Sequence, residues 1–508
     1  MISKVNTAAI SGIQSEIVTV EVDVSDGLPG FSMVGYLTSE VKEAQDRVRT
    51  AIKNSGYRLQ PKRVTVSLTP ASIRKSGSGF DLPIAIAVLS AFGYLPVSLL
   101  EGLFLTGELS LDGNIREIQG VLGMVMEAKS AGFTTCIVPQ KNVEEGAMIQ
   151  GIEVYGASCL KEVVNHLIST KKLEKTTINI EEKLFSAEQW NNLDFADVCG
   201  QKLVKRAAEI AAAGMHNLLI SGPPGAGKTM IARRIPGILP PLSPDEALEI
   251  SQIHSVAGIL PENGVVLQRP FRMPHHTISS AALTGGGKIP HPGEISLAHR
   301  GVLYLDELPE FQSETLEILR QPLEEGEVHI SRSSGQYTFP ADFMLVASRN
   351  PCKCGYFPDR SRCRCSEGEV RRYLHRISRP LLDRIDIHVE AQQIPYEELQ
   401  DREKKEETSA QIRKRVLMAQ EIQRKRYEET GFRFNSDLSS SVLKQYCSLG
   451  KEEEEQMRQV YMRKRMTARA YHRMLKVART IADLDESENI TMEHLGEAIL
   501  YRPSEFLM

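Results

Sequence analysis

The sequence predicts an α/β protein: a parallel sheet organised round a glycine-rich phosphate loop, a helical domain after it and an α+β domain before it. Three stretches carry that expectation. Gly222-Pro223-Pro224-Gly225-Ala226-Gly227-Lys228-Thr229 reads G-x-x-x-x-G-K-T between the apolar run Leu218-Leu219-Ile220 and Met230-Ile231-Ala232. The run Val302-Leu303-Tyr304-Leu305 ends in Asp306-Glu307, and Phe343 to Ala347 leads into Ser348-Arg349-Asn350-Pro351. Apolar runs that finish on polar residues are strands buried on both faces, delivering side chains to the ligand-binding edge of a parallel sheet.

At 508 residues the chain is too long for one core, and about two to four domains are expected. The composition is globular, with 41% hydrophobic and 25% charged residues, and the net charge of −4 gives no global basic field. A local basic channel is still compatible with that sum. The N-terminus lacks the charged-then-apolar pattern of a secretory signal. The apolar stretch Leu82 to Leu100 contains Pro83, Gly93 and Pro96, so a buried helix over Ile84 to Phe92 is expected rather than a membrane span. Eight cysteines in this length do not make a disulfide scaffold. A cytoplasmic protein with no membrane partner is expected.

Residues 1–168 read as the α+β domain. Ile17 to Val24 and Val64 to Leu68 have the alternation of strands, and Glu40 to Lys53 has helical spacing. The polar segment 169–192, with Lys171, Lys172, Glu174, Lys175 and Glu181-Glu182-Lys183, is expected to be a linker. The nucleotide-binding core is expected over 193–394. It opens with Leu193 to Gln201 and an alanine-rich helix, Leu203 to Ala213.

Each site residue has a chemical reason. Gly222, Pro223, Pro224, Gly225, Ala226 and Gly227 let backbone N–H groups wrap a phosphate chain. Lys228 would reach the β- and γ-phosphates of ATP, and the Thr229 hydroxyl would hold Mg²⁺. Asp306 would hold the same Mg²⁺ through water, and Glu307 would orient the attacking water. Asn350 is placed to sense the γ-phosphate or position water; the bland alternative is a strand-end turn, since Asn-Pro favours turns. In Leu381-Leu382-Asp383-Arg384-Ile385-Asp386, Arg384 is the candidate finger supplied in trans, which implies a ring. Its alternative is a surface pair with Asp383. The adjacent His275 and His276 suit hydrogen bonding better than metal binding.

Cys352-Lys353-Cys354 and Cys363-Arg364-Cys365 form two C-x-C pairs across a short turn-rich segment. Four thiolates suit a structural Zn²⁺, although the usual knuckle has two residues inside each pair. A disulfide pair and four free thiols are the alternatives. From 395 to 508 a helical lid domain is expected. It holds a long charged helix over Glu397 to Tyr427 and an amphipathic one over Thr467 to Ala482, whose buried stripe is Leu475, Ala478, Ile481 and Ala482. Ser487 to Thr491 caps a last helix over Glu493 to Leu500.

Several segments resemble known families. Leu103 to Gly113, Ile115 to Gly120, and Ala128 to Gly132 leading to Ile137-Val138-Pro139 are similar to the proteolytic domain of Lon proteases. That resemblance puts Leu122 where the dyad lysine should be and Ser78 near the serine. A non-proteolytic domain used for assembly or binding is therefore expected. The loop, Asp306-Glu307, Asn350 and Arg384 resemble AAA+ ATPases, in which a leader like Leu193 to Gln201 packs on the adenine. Arg272 to Ser279 and Thr284 to Ala298 resemble the helix-2 insertion of the Mg-chelatase and MCM branch, where a hairpin projects into the pore of the ring. There Lys288 would meet a phosphate backbone, though a plain surface loop fits it as well. The lid helix of that branch places Arg469 as a second sensor of the γ-phosphate. Taken whole, the chain resembles the YifB/ComM family of Mg-chelatase-like AAA+ ATPases. That resemblance implies a homo-hexameric ATPase that binds single-stranded or branched DNA and acts as a branch-migration helicase when transforming DNA is integrated. The competing expectation is a chelatase-like motor that inserts metal or remodels a protein partner; the Lon-like domain disfavours it.

Overall fold

The computed structural model describes residues 2–187, 193–287, 290–332, 335–394, 406–464 and 466–502. The N-terminal part is built on an eight-stranded mixed sheet. Its order is Lys175–Thr176, Glu153–Ala157, Thr135–Pro139, Leu103–Leu105, Ile2–Ser11, Gln14–Ser25, Arg63–Thr69 and Gly30–Val34. Alternate residues along a strand face opposite sides, and here each side has its own core. Val5, Ala9, Leu103 and Leu105 pack under the helices Ser39–Asn54 and Asp81–Ala91. Ala8, Phe104, Cys136 and Val138 pack against the helix Val121–Ser130. The helix Asp81–Ala91 is buried along its whole length, as the apolar stretch predicts for a core helix. No described helix is long and apolar enough to cross a membrane.

The segment expected as a linker carries structure. Lys175 and Thr176 pair antiparallel with Tyr155 and Val154, and Ile180 is buried at the start of the helix Ile180–Ala187. Polar composition hid this because a two-residue edge strand needs only backbone hydrogen bonds. The N-terminal part also docks directly on the rest of the chain. Ala247 and Ile250 of the helix Pro244–Ala257 join the cluster of Val121, Leu122 and Val125, and Gln252 Nε2 donates to Ile13 O at 3.0 Å.

The second sheet is five-stranded and parallel throughout, in the order Phe271–Arg272, Val302–Leu305, Met344–Arg349, Leu218–Ser221, Ile387–Glu390. The loop strand Leu218–Ser221 therefore lies one strand away from the strand that ends at Asp306. Both strands are buried from end to end, which is why they read as unbroken apolar runs.

The helices Ser409–Tyr427, Ala468–Leu484 and Met492–Leu500 close over the helix Lys202–Gly214. Leu475, Ala478, Ile481 and Ala482 form the buried stripe, as their spacing predicts. The charged helix begins later than its pattern suggests, at Ser409, because Thr408 caps it by accepting from Gln411 N at 3.3 Å. Residues 395–405 lie outside the described part.

Candidate active site at the glycine-rich loop

The loop leaves the sheet at Ser221, and its glycines have two separate reasons. Gly225 and Gly227 have φ of 77° and 81°, the left-handed region that side chains disfavour, and a Cβ at either would meet nothing within 4 Å. Handedness, not crowding, requires them, and the space beside them suits a phosphate chain. Gly222 is different: a Cβ there would lie 2.6 Å from Ala391 O, so the backbone packs directly on the end of the edge strand. The helix that follows spans only Lys228–Ala232. The loop's own N–H groups thus supply most of the anion cradle.

Lys228 is buried and donates three bonds: to Gly222 O at 2.7 Å, Pro223 O at 3.0 Å and Asn350 Oδ1 at 3.0 Å. Burial pulls its pKa below the ordinary lysine value, while the nearby Asp306 and Glu307 pull it back up. The structure therefore brings Asn350 onto the loop lysine. Thr229 Oγ1 donates to Asp306 Oδ2 at 3.1 Å, which brings the two expected Mg²⁺ ligands together.

Two residues that sequence reasoning passed over fix Asp306. Tyr304 OH donates to Asp306 Oδ1 at 3.0 Å, and Ser348 Oγ donates to the same oxygen. The Glu307 N–H then bonds both Asp306 Oδ1 at 3.1 Å and Ser348 Oγ at 3.2 Å. These bonds hold Glu307 at φ 51°, ψ 50°, a conformation that costs a non-glycine residue about 1–2 kcal/mol. Period 2 gives only the strand face of each hydroxyl and not its partner on the next strand. Tyr304 shares a strand face with Asp306, and Ser348 shares one with Asn350.

The leader Leu193 to Gln201 is anchored on both sides of the site. Phe195 is fully buried, and its N–H donates to Ser409 Oγ at 2.8 Å. Asp194 Oδ1 accepts from Ser409 N at 2.7 Å, and Gln201 Nε2 donates to Ala226 O of the loop at 3.1 Å. Loop, leader and the first lid helix are thus joined by hydrogen bonds.

Arg384 sits elsewhere. Asn217, which precedes the loop strand, donates Nδ2 to Arg384 O at 2.9 Å, and Asp386 N–H donates to Asn217 O at 3.1 Å. Arg384 is therefore at the entry edge of the sheet, a strand length of roughly 13 Å from its own loop. Its guanidinium pairs with Glu324 and donates to Pro380 O at 2.7 Å, while its buried Nε has no partner. Asp386 beside it is largely shielded from water, which opposes ionisation. The His216 hydrogen bond at 3.3 Å and Arg473 at 3.4 Å outweigh that and hold its carboxyl below the usual range. Arg469 is exposed and acts electrostatically on Arg473 together with Arg384.

The helix-2 segment contains a short hairpin, Gly285–Gly286 with His291–Pro292; Lys288 lies outside the described residues. Arg272 makes a bidentate pair with Glu294, at 2.6 and 2.7 Å, that ties the hairpin's base to the sheet. His275 Nδ1 bonds Thr277 Oγ1 at 2.9 Å, and the His275 and His276 ring centres lie 4.1 Å apart with the rings tilted, which fits hydrogen bonding rather than metal binding. A second hairpin, Glu327–Arg332 with Gly335–Pro340, was not anticipated. A Cβ on Gly286 would lie 3.3 Å from Arg332 Nη2, so the two hairpins are neighbours. In the N-terminal part, Ser78 Oγ donates to Glu108, and Leu122 is fully buried in an apolar cluster. No lysine base meets Ser78 among the described contacts.

A parallel sheet with the loop strand beside the Asn350 strand and one removed from the Asp-Glu strand, closed by a helical lid, defines an AAA+ type P-loop protein. Comparison with known proteins narrows this. The family model for magnesium chelatase, subunit ChlI, matches residues 194–399. Models for subunit ChlI of Mg-chelatase and for the ChlI C-terminal region match 20–142 and 406–502. The competence protein ComM of Haemophilus influenzae is 43% identical over 498 residues, 98% of this chain and 97% of that protein. The uncharacterized protein YifB of Escherichia coli is 43% identical over 509 residues, 100% of this chain and 98% of its own length. The magnesium-chelatase 67 kDa subunit of Chlorobaculum parvum is 29% identical over 199 residues, covering 38% of this chain and 26% of that protein. The chain belongs to the ComM/YifB family of Mg-chelatase-type AAA+ proteins.

Proposed function

We propose that this protein is an ATP-hydrolysing motor that assembles as a homo-hexameric ring, acts on DNA and drives branch migration when transforming DNA is integrated. The observation that carries the reading is the pair of neighbouring hairpins, which sets the Arg332 guanidinium beside the glycine-rich turn preceding Lys288. A cation held beside a glycine-rich hairpin suits a phosphate backbone, which binds mainly by charge neutralisation, and Lys288 follows that turn in the sequence. The competence name of the Haemophilus relative supports the same direction.

In the nucleotide site, Lys228 would leave its loop carbonyls for phosphate oxygens, and Asn350 would follow the change because it bonds Lys228 directly. Thr229 and Asp306 would hold Mg²⁺, which would supply positive charge to offset that of the phosphates. Glu307, fixed through its backbone by Asp306 and Ser348, would orient the attacking water. Arg384, at the entry edge of the sheet, would complete the site of the neighbouring copy, and Arg469 would act as the lid's second sensor of the γ-phosphate. The N-terminal part, lacking a base at Ser78, would serve assembly or binding.

A second reading, a chelatase-like motor remodelling a protein partner or driving metal insertion, draws on the family models named for magnesium chelatase. ATP turnover measured with and without single-stranded and branched DNA at low salt separates the two. Stimulation that is lost in Lys288→Ala and reduced in Arg332→Ala is expected. Turnover indifferent to every DNA would overturn the DNA reading.

A further inference from the structure

We propose that Cys352, Cys354, Cys363 and Cys365 form a tetrahedral zinc site, and that this site braces the nucleotide loop through contact of Gly355 with Pro224. The four Sγ atoms lie within 4.8 Å of one another. The closest pairs are Cys352–Cys354 at 3.3 Å, Cys354–Cys363 at 3.5 Å and Cys352–Cys363 at 3.7 Å. A zinc ion with bonds of about 2.3 Å to four thiolates sets its sulfurs about 3.8 Å apart. A disulfide needs about 2.05 Å, so the separations fit thiolates round one ion and not crosslinks. The sulfurs are also too close together to enclose a cluster of several irons.

The surroundings suit a metal. Cys352 and Cys363 are buried against Val370, Tyr373 and Leu374 of the helix Glu367–Leu374. The Phe357 N–H donates to Cys352 Sγ at 3.4 Å, an outer-shell bond that orients a thiolate. Four thiolates round Zn²⁺ leave two negative charges. The segment supplies Lys353, Arg360, Arg362 and Arg364 against one carboxylate, Asp359. Apart from turns, little backbone pairing holds this segment, and its apolar cluster is small. A segment so built needs a staple.

Position gives the site its role. The first cysteine comes two residues after Asn350, which bonds the loop lysine. Gly355, between the pairs, has φ 87°. A Cβ on it would lie 2.5 Å from Pro224 Cδ, so its backbone rests directly on the exposed turn of the nucleotide loop. Fixing the four sulfurs fixes Gly355, and Gly355 limits how far Pro224 can swing. The inference stands independently of what the motor moves.

The full-length protein, purified without chelator or metal-affinity resin, is expected to carry one zinc per chain by mass spectrometry of the metal. After cobalt exchange it should display the thiolate-to-cobalt absorption of a four-sulfur tetrahedral site. The Cys354→Ser, Cys365→Ser double variant should lose the metal and bind a fluorescent ATP analogue roughly tenfold more weakly. Cys365→His, which keeps a fourth ligand, should retain both properties. Gly355→Ala should keep zinc yet weaken nucleotide binding, separating the contact from the metal. If the double variant does not fold, removing zinc from the wild type and restoring it should reversibly weaken and restore analogue binding. Protein that neither carries zinc nor takes it up on titration overturns the site. Zinc removal that leaves analogue affinity unchanged overturns its role.

Discussion

Replacing Ser348 by alanine isolates the part of the active site that only the structure reveals. Ser348 is fully buried; its hydroxyl donates to the Asp306 carboxylate and accepts the Glu307 N–H at 3.2 Å. A hydrogen bond to a charged group contributes about 1.5–3 kcal/mol. Asp306 keeps Tyr304 OH at 3.0 Å and Thr229 Oγ1 at 3.1 Å, and the Glu307 N–H keeps Asp306 Oδ1 at 3.1 Å. The lower end of the range therefore applies, about 1.5 kcal/mol, or about tenfold in kcat. Because Asp306 loses an orienting donor, the Mg²⁺ concentration for half-maximal turnover should rise several-fold. Nucleotide affinity measured without Mg²⁺ should hold, since Lys228 and the loop are untouched. The assay is steady-state ATP turnover across a Mg²⁺ titration, with Tyr304→Phe as the companion that removes another donor to the same oxygen. A Ser348→Ala protein whose kcat and Mg²⁺ dependence stay within about twofold of wild type would refute the assigned role of this hydroxyl.

Two further outcomes follow from buried groups. His388 is buried near Arg349 and Arg502, and burial followed by these charges lowers its pKa to about 3. The unfolded imidazole, with a pKa of about 6.5, takes up a proton that the native one refuses. Stability should therefore fall by about 2 kcal/mol from pH 7 to pH 5 through this group. His388→Gln should flatten that part of the urea-midpoint profile, and an unchanged slope would count against it. Phe195, fully buried between the core and the lid, should cost about 3–5 kcal/mol on truncation to alanine. A urea midpoint shift equivalent to less than about 1 kcal/mol would contradict the packing described.

What could be read before folding was whatever physics writes locally. Strands buried on both faces leave continuous apolar runs, so Leu218–Ser221, Val302–Leu305 and Met344–Arg349 were visible, along with the polar residues at their ends. Gly225 and Gly227 were legible because a left-handed backbone demands that residue. Ser348 and Tyr304 were not, since a hydroxyl inside an apolar run has no meaning until the neighbouring strand is known. The same holds for Asp194 and Ser409, which meet across 215 residues of chain. The first strand of the second hairpin did carry a signal, since exposed Glu327, His329 and Ser331 alternate with buried Val328 and Ile330, but the run is short and went unread. Arg384 was recognised as a residue, but its place at the entry edge of the sheet depends on Asn217 and Asp386 holding that edge together.

That placement of Arg384 makes one measurement the most direct test of a ring whose sites are shared between neighbours. Lys228→Ala chains lack a working loop but keep Arg384, and Arg384→Ala chains keep the loop but lack the finger. Each alone should be inactive in ATP hydrolysis. An equal mixture assembled into common rings should recover about a quarter of wild-type turnover, because half the intact loops come to lie beside an intact Arg384 and intact loops are half the total. A mixture as silent as its parents, or an Arg384→Ala protein that turns over at the wild-type rate, would contradict the shared site.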